Sequence, residues 1–228
     1  MKQLSGEAGF SDLESLVTRL EETYQIRRKR KDRSIVQFEH STNIDGQKWV
    51  ATLKEKIRTQ STIWSDYRPF GEEAYKRIFS PYLLKEYNNR WFLIGYDHDN
   101  DMIRNLGLDR ILSIKDSLVE YKMDESFDSN TYLQDIVGVS IPDDSEKVTV
   151  QLKAHGRQKF YLETKPLHNS QEKISESEDH AIFQLELIPN FELKAKLMAN
   201  ADSLEVQSPE WLRKEILTKL ESGLELYK

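Results

Sequence analysis

The stretch FSPYLLKEYNNRWFLIGYDHDNDMIRNLGLDRI, Phe79 to Ile111, decides the reading of this chain. Within it, Tyr82–Tyr87, Trp91–Tyr96 and Ile103–Leu106 are short runs rich in aromatic and branched residues, and each reads as a strand. Asn88-Asn89 separates the first two as a two-residue turn, because asparagine tolerates the positive φ that tight hairpins require. Along the strand at Trp91, the residues Arg90, Phe92, Ile94 and Tyr96 share one face, and Trp91, Leu93 and Gly95 share the other. Both faces contain apolar groups, so both need a cover.

Outward from this core, Thr62–Tyr67 and Ala74–Phe79 precede it as strands and Arg110–Lys115 follows, a set of short strands that suits a small barrel. A helix from Trp49 to about Gln60, with Trp49, Leu53 and Ile57 on one stripe, is placed to pack on its outside. Further upstream, Leu13, Leu16, Val17, Leu20 and Tyr24 recur at helical spacing with Ser11 as cap. A basic run, Arg27, Arg28, Lys29, Arg30, Lys31 and Arg33, then leads into a short strand at Ile35–Phe38.

Downstream, Asp116 to Pro142 carries few signals, and Gly138 to Pro142 with Asp143-Asp144-Ser145 reads as a linker. The remainder reads as a separate β-α-β-β-α-β-α unit, a split β-α-β arrangement. Its strands begin at Val148 and include Lys165–Ile174 and His180–Ile188; a short helix covers Gln158–Leu162. Asn190 caps a helix with Leu193, Leu197 and Met198, and Ser208 with Pro209 at the first helical position starts another with Leu212, Ile216, Leu217 and Leu220.

Bulk composition narrows the function classes. The 228 residues are 32% charged and contain no cysteine, which excludes disulfides and thiolate chemistry. No apolar run approaches the roughly 18 residues of a membrane span, so a cytoplasmic, non-membrane protein is expected. The net charge of -6 is uneven: residues 1–90 hold 17 Lys and Arg against 13 Asp and Glu, and the rest holds 16 against 26. A nucleic-acid surface therefore belongs to the first part, and the 27–33 run is its candidate contact, against the plainer reading of a solvated connector.

Motifs for catalysis or metal binding are incomplete. Asp97, Asp99 and Asp101 alternate like the start of a calcium loop, but Met102 stands where glycine is needed and no Glu closes the loop. His40, His98, His155, His168 and His180 show no metal-ligand spacing. Ser140 lacks the second glycine of a nucleophile elbow, and no glycine-rich phosphate loop occurs. No enzyme, metal or cofactor is expected.

Pro81-Tyr-Leu-Leu84, Trp91-Phe-Leu93 and the Arg104 to Ile111 pattern ending Leu-Asp-Arg-Ile occur together and in order, and this constellation resembles the WYL family. Pro166-Leu-His168, Asn190-x-Glu-Leu193 and Glu205-Val-x-x-Pro209 resemble its C-terminal extension. The resemblance implies an α+β protein: an Sm-like β-barrel with flanking helices, then a ferredoxin-like domain. The boundaries expected are 1–34 for an N-terminal helix and connector, 35–120 for the barrel, 121–145 for a linker and 146–228 for the extension. It also implies a ligand-sensing module of bacterial transcriptional regulators, commonly a homodimer that reaches DNA through an upstream winged helix-turn-helix, which is not visible here.

Arg77 matches a basic position of the family pattern, and Tyr67, Tyr82, Arg104 and Arg110 fall where the family often has Tyr or Arg; these five are the candidate ligand-binding residues. Guanidinium forks suit phosphate or carboxylate and phenols add stacking faces, so a small anionic, nucleotide-like or oligonucleotide effector is expected. The plainer reading pairs Arg110 with Asp109 and puts the tyrosines in the core. Phe92 in place of the middle Tyr, and Gly107 where many members place a further Arg, remove polar groups; a lost buried guanidinium weakens anion binding by about 1.5–3 kcal/mol. The alternative function is an accessory module for single-stranded nucleic acid without a switch. On the sensor reading, Arg77→Ala and Arg104→Ala abolish binding and leave the thermal midpoint nearly unchanged.

Overall fold

Trp49, Leu53 and Ile57 recur at the spacing that places them on one side of a helix, and helix α1 (Val50–Arg58) turns that side onto a β-sheet. A single 3-10 turn, Gln47–Trp49, leads into it, and the Trp49 indole N–H donates to the Ile111 carbonyl at 3.0 Å, which pins the helix to the sheet. Leu53 is wholly buried, and truncating a leucine so placed costs about 2–5 kcal/mol. The structure, a computed structural model, describes residues 46–143 and 146–228. The expected helix at Phe10–Tyr24, the basic run 27–33 and the strand at Ile35–Phe38 lie outside the described residues.

The sheet under α1 has five strands, β1 (Ile63–Tyr67), β2 (Tyr75–Tyr87), β3 (Arg90–Asp97), β4 (Met102–Gly107) and β5 (Ile111–Asp116), in the order β4-β3-β2-β1-β5 and antiparallel throughout. Two expected strands, Ala74–Phe79 and Tyr82–Tyr87, are in fact one. The register steps from Pro81 opposite Gly95 to Leu83 opposite Ile94, so Pro81 and Tyr82 sit at a bulge where a residue without an N–H is tolerated. The Asn88-Asn89 turn has φ of 49° and 59°, the left-handed pair a tight hairpin needs.

The hydrogen-bonded ladder does not close into a barrel. Among the described residues β4 and β5 are both edge strands, and the 3-10 turn Leu108–Arg110 carries the chain from one to the other, with the Leu108 side chain fully buried in the core. The core on this face is Leu53, Ile63, Tyr67, Phe79, Leu93, Leu106, Leu108 and Ile111.

The stretch expected as a linker, 121–145, is packed over its described part. It lacks helix and strand but is held along its length: the Tyr121 hydroxyl donates to the Pro81 carbonyl at 2.7 Å, Lys122 N–H to the Ser80 hydroxyl at 3.1 Å, and the Tyr82 hydroxyl to the Lys122 carbonyl at 2.6 Å. Tyr82, Phe127 and Tyr132 stack in sequence with centroids 4.9 and 5.0 Å apart. Ile136, Val137 and Val139 are buried, and Ile188 N–H reaches the Asp135 carbonyl at 2.7 Å. The described residues, 46–143 and 146–228, accordingly group as one unit.

The last part runs β6 (Val148–His155), α2 (Gln158–Thr164), β7 (Glu172–Glu176), β8 (His180–Leu187), α3 (Phe191–Ala199), β9 (Leu204–Ser208) and α4 (Glu210–Glu225), with sheet order β7-β8-β6-β9. Each pair is antiparallel and β8 lies between β6 and β7, the split β-α-β pattern. Val150, Leu152 and Ala154 alternate inward against Ala181, Phe183, Leu185 and Leu187, and Leu193, Leu197, Leu212 and Ile216 cover them from α3 and α4. Two boundaries differ from expectation. Residues 165–171 form a loop, in which the Gln171 side chain accepts from Leu167 N–H and donates to the Leu162 carbonyl, and α4 starts at Glu210 with Pro209 as its cap. No helix among the described residues is long and apolar enough to cross a membrane.

Candidate functional site: two guanidiniums on a buried carboxylate

Alternation along β2 puts Tyr75, Arg77 and Phe79 on the face that α1 covers, and pairing sets Tyr67 opposite Tyr75 and Asp97 opposite Phe79. Arg104 of β4 stands opposite Gly95, hence on the same face. Two of the expected arginines therefore meet on one carboxylate: Arg77 Nη1 pairs with Oδ2 of Asp97, and Arg104 Nε lies 3.9 Å from the same oxygen. Asp97 is fully buried, the Arg77 side chain is 12% exposed and that of Arg104 is 42% exposed.

Burying a carboxylate is costly unless its oxygens are fully partnered, and here they are. The Asn100 amide donates to Oδ2 at 2.8 Å and Asp99 N–H to Oδ1 at 3.1 Å, adding to the guanidiniums. Arg77 is also spent inward, since its Nε and Nη2 donate to the Tyr75 hydroxyl at 3.2 and 2.5 Å and its guanidinium carbon lies 4.7 Å from the Tyr75 ring centroid. Arg104 is the guanidinium left with half its surface open to an incoming group.

Arg110 completes the cluster through Tyr67. Its guanidinium carbon is 5.5 Å from the Tyr67 centroid, and that of Arg77 is 5.9 Å away, so two cations address one phenol ring; Phe70, largely exposed, lies 5.3 Å from Arg110. Burial pushes the Tyr67 hydroxyl pKa up, with Arg110 opposing. Arg110 Nε is buried without a hydrogen bond, and the Asp109 carboxylate is 3.8 Å from it, which is the pairing anticipated from sequence at salt-bridge range only. Arg110 lies over Gly107: a Cβ there would sit 2.5 Å from its Nη2, so a side chain at this position would displace the guanidinium.

Tyr82 does not join the others. Its hydroxyl donates to the Lys122 carbonyl and accepts Asp124 N–H at 2.9 Å, on the side of the sheet covered by the 117–132 segment. Burial raises its pKa, and burial together with the neighbouring Tyr82 pushes the Tyr121 hydroxyl up to about 12, so both phenols act as neutral hydrogen-bonding groups. On that face Ser80 bonds His98 Nε2 at 2.8 Å, and Lys122 bridges the Tyr96 hydroxyl and Asp101, its Nζ 3.0 Å from the carboxylate.

Two members of the site were not singled out from sequence. Asp97 was read only as part of the Asp97, Asp99, Asp101 alternation; in the structure Asp97 is a counter-ion, Asp99 accepts Ile78 N–H at 3.0 Å and Asp101 pairs with Lys122. Tyr75 carried a usable signal, since a residue two positions before Arg77 on a strand shares its face. The basic run 27–33 lies outside the described residues. Ser140 donates to Glu192 and belongs to another cluster.

With three guanidiniums, the rings of Tyr67, Phe70 and Tyr75, and the carboxylates of Asp97 and Asp109, the cluster keeps a net positive charge and presents both anion-binding forks and stacking surfaces. A sequence model of the WYL domain matches residues 48–116. No curated protein sequence matches the chain. Among solved structures it is similar to proteasome accessory factor B/C (PafBC) of Arthrobacter aurescens, with 18% identity and a TM-score of 0.34 over 86% of this chain and 29% of that one. It is also similar to a CRISPR Cas-related protein, with 13% identity and a TM-score of 0.48 over 78% of this chain and 50% of that one. The chain thus spans half or less of the length of either structure. The matched residues begin just before Trp49 and end with β5, taking in α1 and the whole first sheet together with Arg77, Arg104 and Arg110, and so this part of the chain is a WYL domain.

Proposed function

We propose that this chain is the ligand-sensing part of a bacterial WYL-type transcriptional regulator and that a small anionic or nucleotide-like effector binds at Arg77, Arg104, Arg110 and Tyr67. The observation that carries this reading is the convergence of Arg77 and Arg104 on the buried Asp97, with Arg77 and Arg110 flanking one phenol ring. A phosphate or carboxylate that replaces Asp97 at Arg104 gains a charge-assisted hydrogen bond, and a base or other flat ring stacks on Phe70 beside Arg110. The strand order and directions of the second sheet support a ferredoxin-like extension. On this proposal the extension passes the signal to a second copy of the chain in a cytoplasmic homodimer, and onward to DNA through an upstream domain.

The test is titration of the protein with nucleoside triphosphates and with labelled five-nucleotide oligothymidylate, followed by calorimetry and anisotropy. Saturable binding that falls at least about 10-fold in Arg104→Ala, as loss of one charge-assisted bond demands, supports the site. Unchanged affinity in that variant removes it. The alternative, a switchless module for single strands, requires oligonucleotide affinity that declines steeply with salt and is independent of Arg104.

A further inference from the structure

Neighbouring residues on β4 face opposite ways. Arg104 points to the arginine cluster, while Asn105, opposite Ile94, donates its side-chain N–H to the Val139 carbonyl. The same residue, Val139, is held from the other side: its N–H, the Ser140 N–H and the Ser140 hydroxyl donate to Oε1 of Glu192 at 3.2, 3.1 and 2.8 Å. Glu192 lies in the first turn of α3. Asn190, the cap of that helix, accepts Leu193 N–H at 3.0 Å and donates to the carbonyls of Val137 and Ser140 at 2.7 and 2.9 Å.

The joint is largely buried, and Oε2 of Glu192 is enclosed in it without a hydrogen-bond partner. Val139, Asn190 and Glu192 are all buried, and Gly138, at φ 81°, leaves no room for a side chain because a Cβ would sit 2.8 Å from Cγ of Glu192. The three donors on Oε1 of Glu192 hold the 139–140 peptides against α3, and losing one of them leaves that buried oxygen shorter of partners. Among the described residues β4 is an edge strand that pairs with β3 alone, so its displacement disturbs a single ladder.

We propose that the Asn105–Val139–Glu192 joint couples the Arg104 side of β4 to α3, so that a change at the arginine cluster is delivered to the helices of the C-terminal unit. The proposal rests on the sensor reading for its purpose, and on the hydrogen bonds alone for its mechanics. When Arg104 exchanges Asp97 for another partner, β4 shifts, Asn105 shifts with it, and the Val139 peptide loses its grip on one of its two neighbours. Asn105, Val139 and Glu192 are positioning residues in this scheme.

The test separates the two readings. Hydrogen exchange is measured at the amides of Val139, Ser140 and Leu193 in the unliganded protein, in Arg104→Ala, in Asn105→Asp, and in the double variant; aspartate keeps the shape of asparagine and removes the donor. Arg104→Ala is expected to raise exchange at these amides about five-fold, the lower end of ordinary coupling, and to have less than about two-fold effect once Asn105 is replaced. Asn105→Ser serves the same comparison if the aspartate variant does not fold. Equal effects of Arg104→Ala in both backgrounds, or no effect in either, overturn the joint. A second arm adds five-nucleotide oligothymidylate: a wild-type protein that shows the coupling but does not bind the probe removes a nucleotide-like effector while leaving the joint in place.

Discussion

At Arg77 the structure changes an expectation drawn from sequence. A ligand-binding arginine on the surface is removable at little cost, but this one neutralises a wholly buried aspartate. Arg77→Ala is therefore expected to destabilise the fold by about 3–5 kcal/mol, because it leaves Asp97 charged and short of partners, and the double variant Arg77→Met/Asp97→Leu is expected to recover most of that loss. Urea unfolding of the three proteins checks this; an unchanged midpoint in Arg77→Ala would return the residue to a purely ligand-binding role. Arg104, half open to solvent, is the variant that tests binding without that complication. His98 sets a pH dependence on the opposite face. Burial, then the neighbouring Lys122, lowers its pKa below 6.5, while Asp97, Asp99 and Asp101 oppose that shift. The unfolded chain then takes up the proton first, so the contribution of His98 is complete above about pH 6.5 and is lost as pH falls through the lower folded value. Thermal midpoints of wild type and His98→Asn are expected to diverge above pH 6.5 and to converge below it, and parallel profiles would exclude His98 as the source.

Among the elements, α3 depends most on one residue. Asn190 caps the helix and also ties down two carbonyls of the 137–140 segment, so Asn190→Ala removes a cap worth about 1 kcal/mol and strands two buried acceptors worth about 1–3 kcal/mol more. A loss smaller than about 1 kcal/mol in denaturant unfolding would mean that water replaces the side chain. The cap itself was legible in the sequence, as were the Asn88-Asn89 turn, the stripe of α1 and the alternation of β6 and β8, because each of these is written in neighbouring residues. The joining of two expected strands into β2 was not: a proline reads as a boundary, and only the pairing with β3 shows that it sits at a bulge.

For the molecule as a whole, the 117–143 segment decides how the two sheets behave. Its first half packs on Tyr82 and Ser80 of the first sheet, and Val137 belongs to the core of the second. Calorimetry is therefore expected to show one cooperative unfolding transition over the two sheets, and two resolved transitions would restore the picture of independent domains on a linker. Sequence alone determined the run of short strands, the α+β order of the C-terminal part and the set of arginines and tyrosines from which the site is drawn, because local periodicity and turn chemistry record which residues share a face. It was the tertiary structure that decided which of those side chains meet. Ahead of the bulge Tyr75, Arg77 and Phe79 face the core, beyond it Leu84 does, and Tyr82 at the irregularity turns to the other side; that shift, and the choice of Asp97 as the shared counter-ion, arise from register between strands distant in sequence.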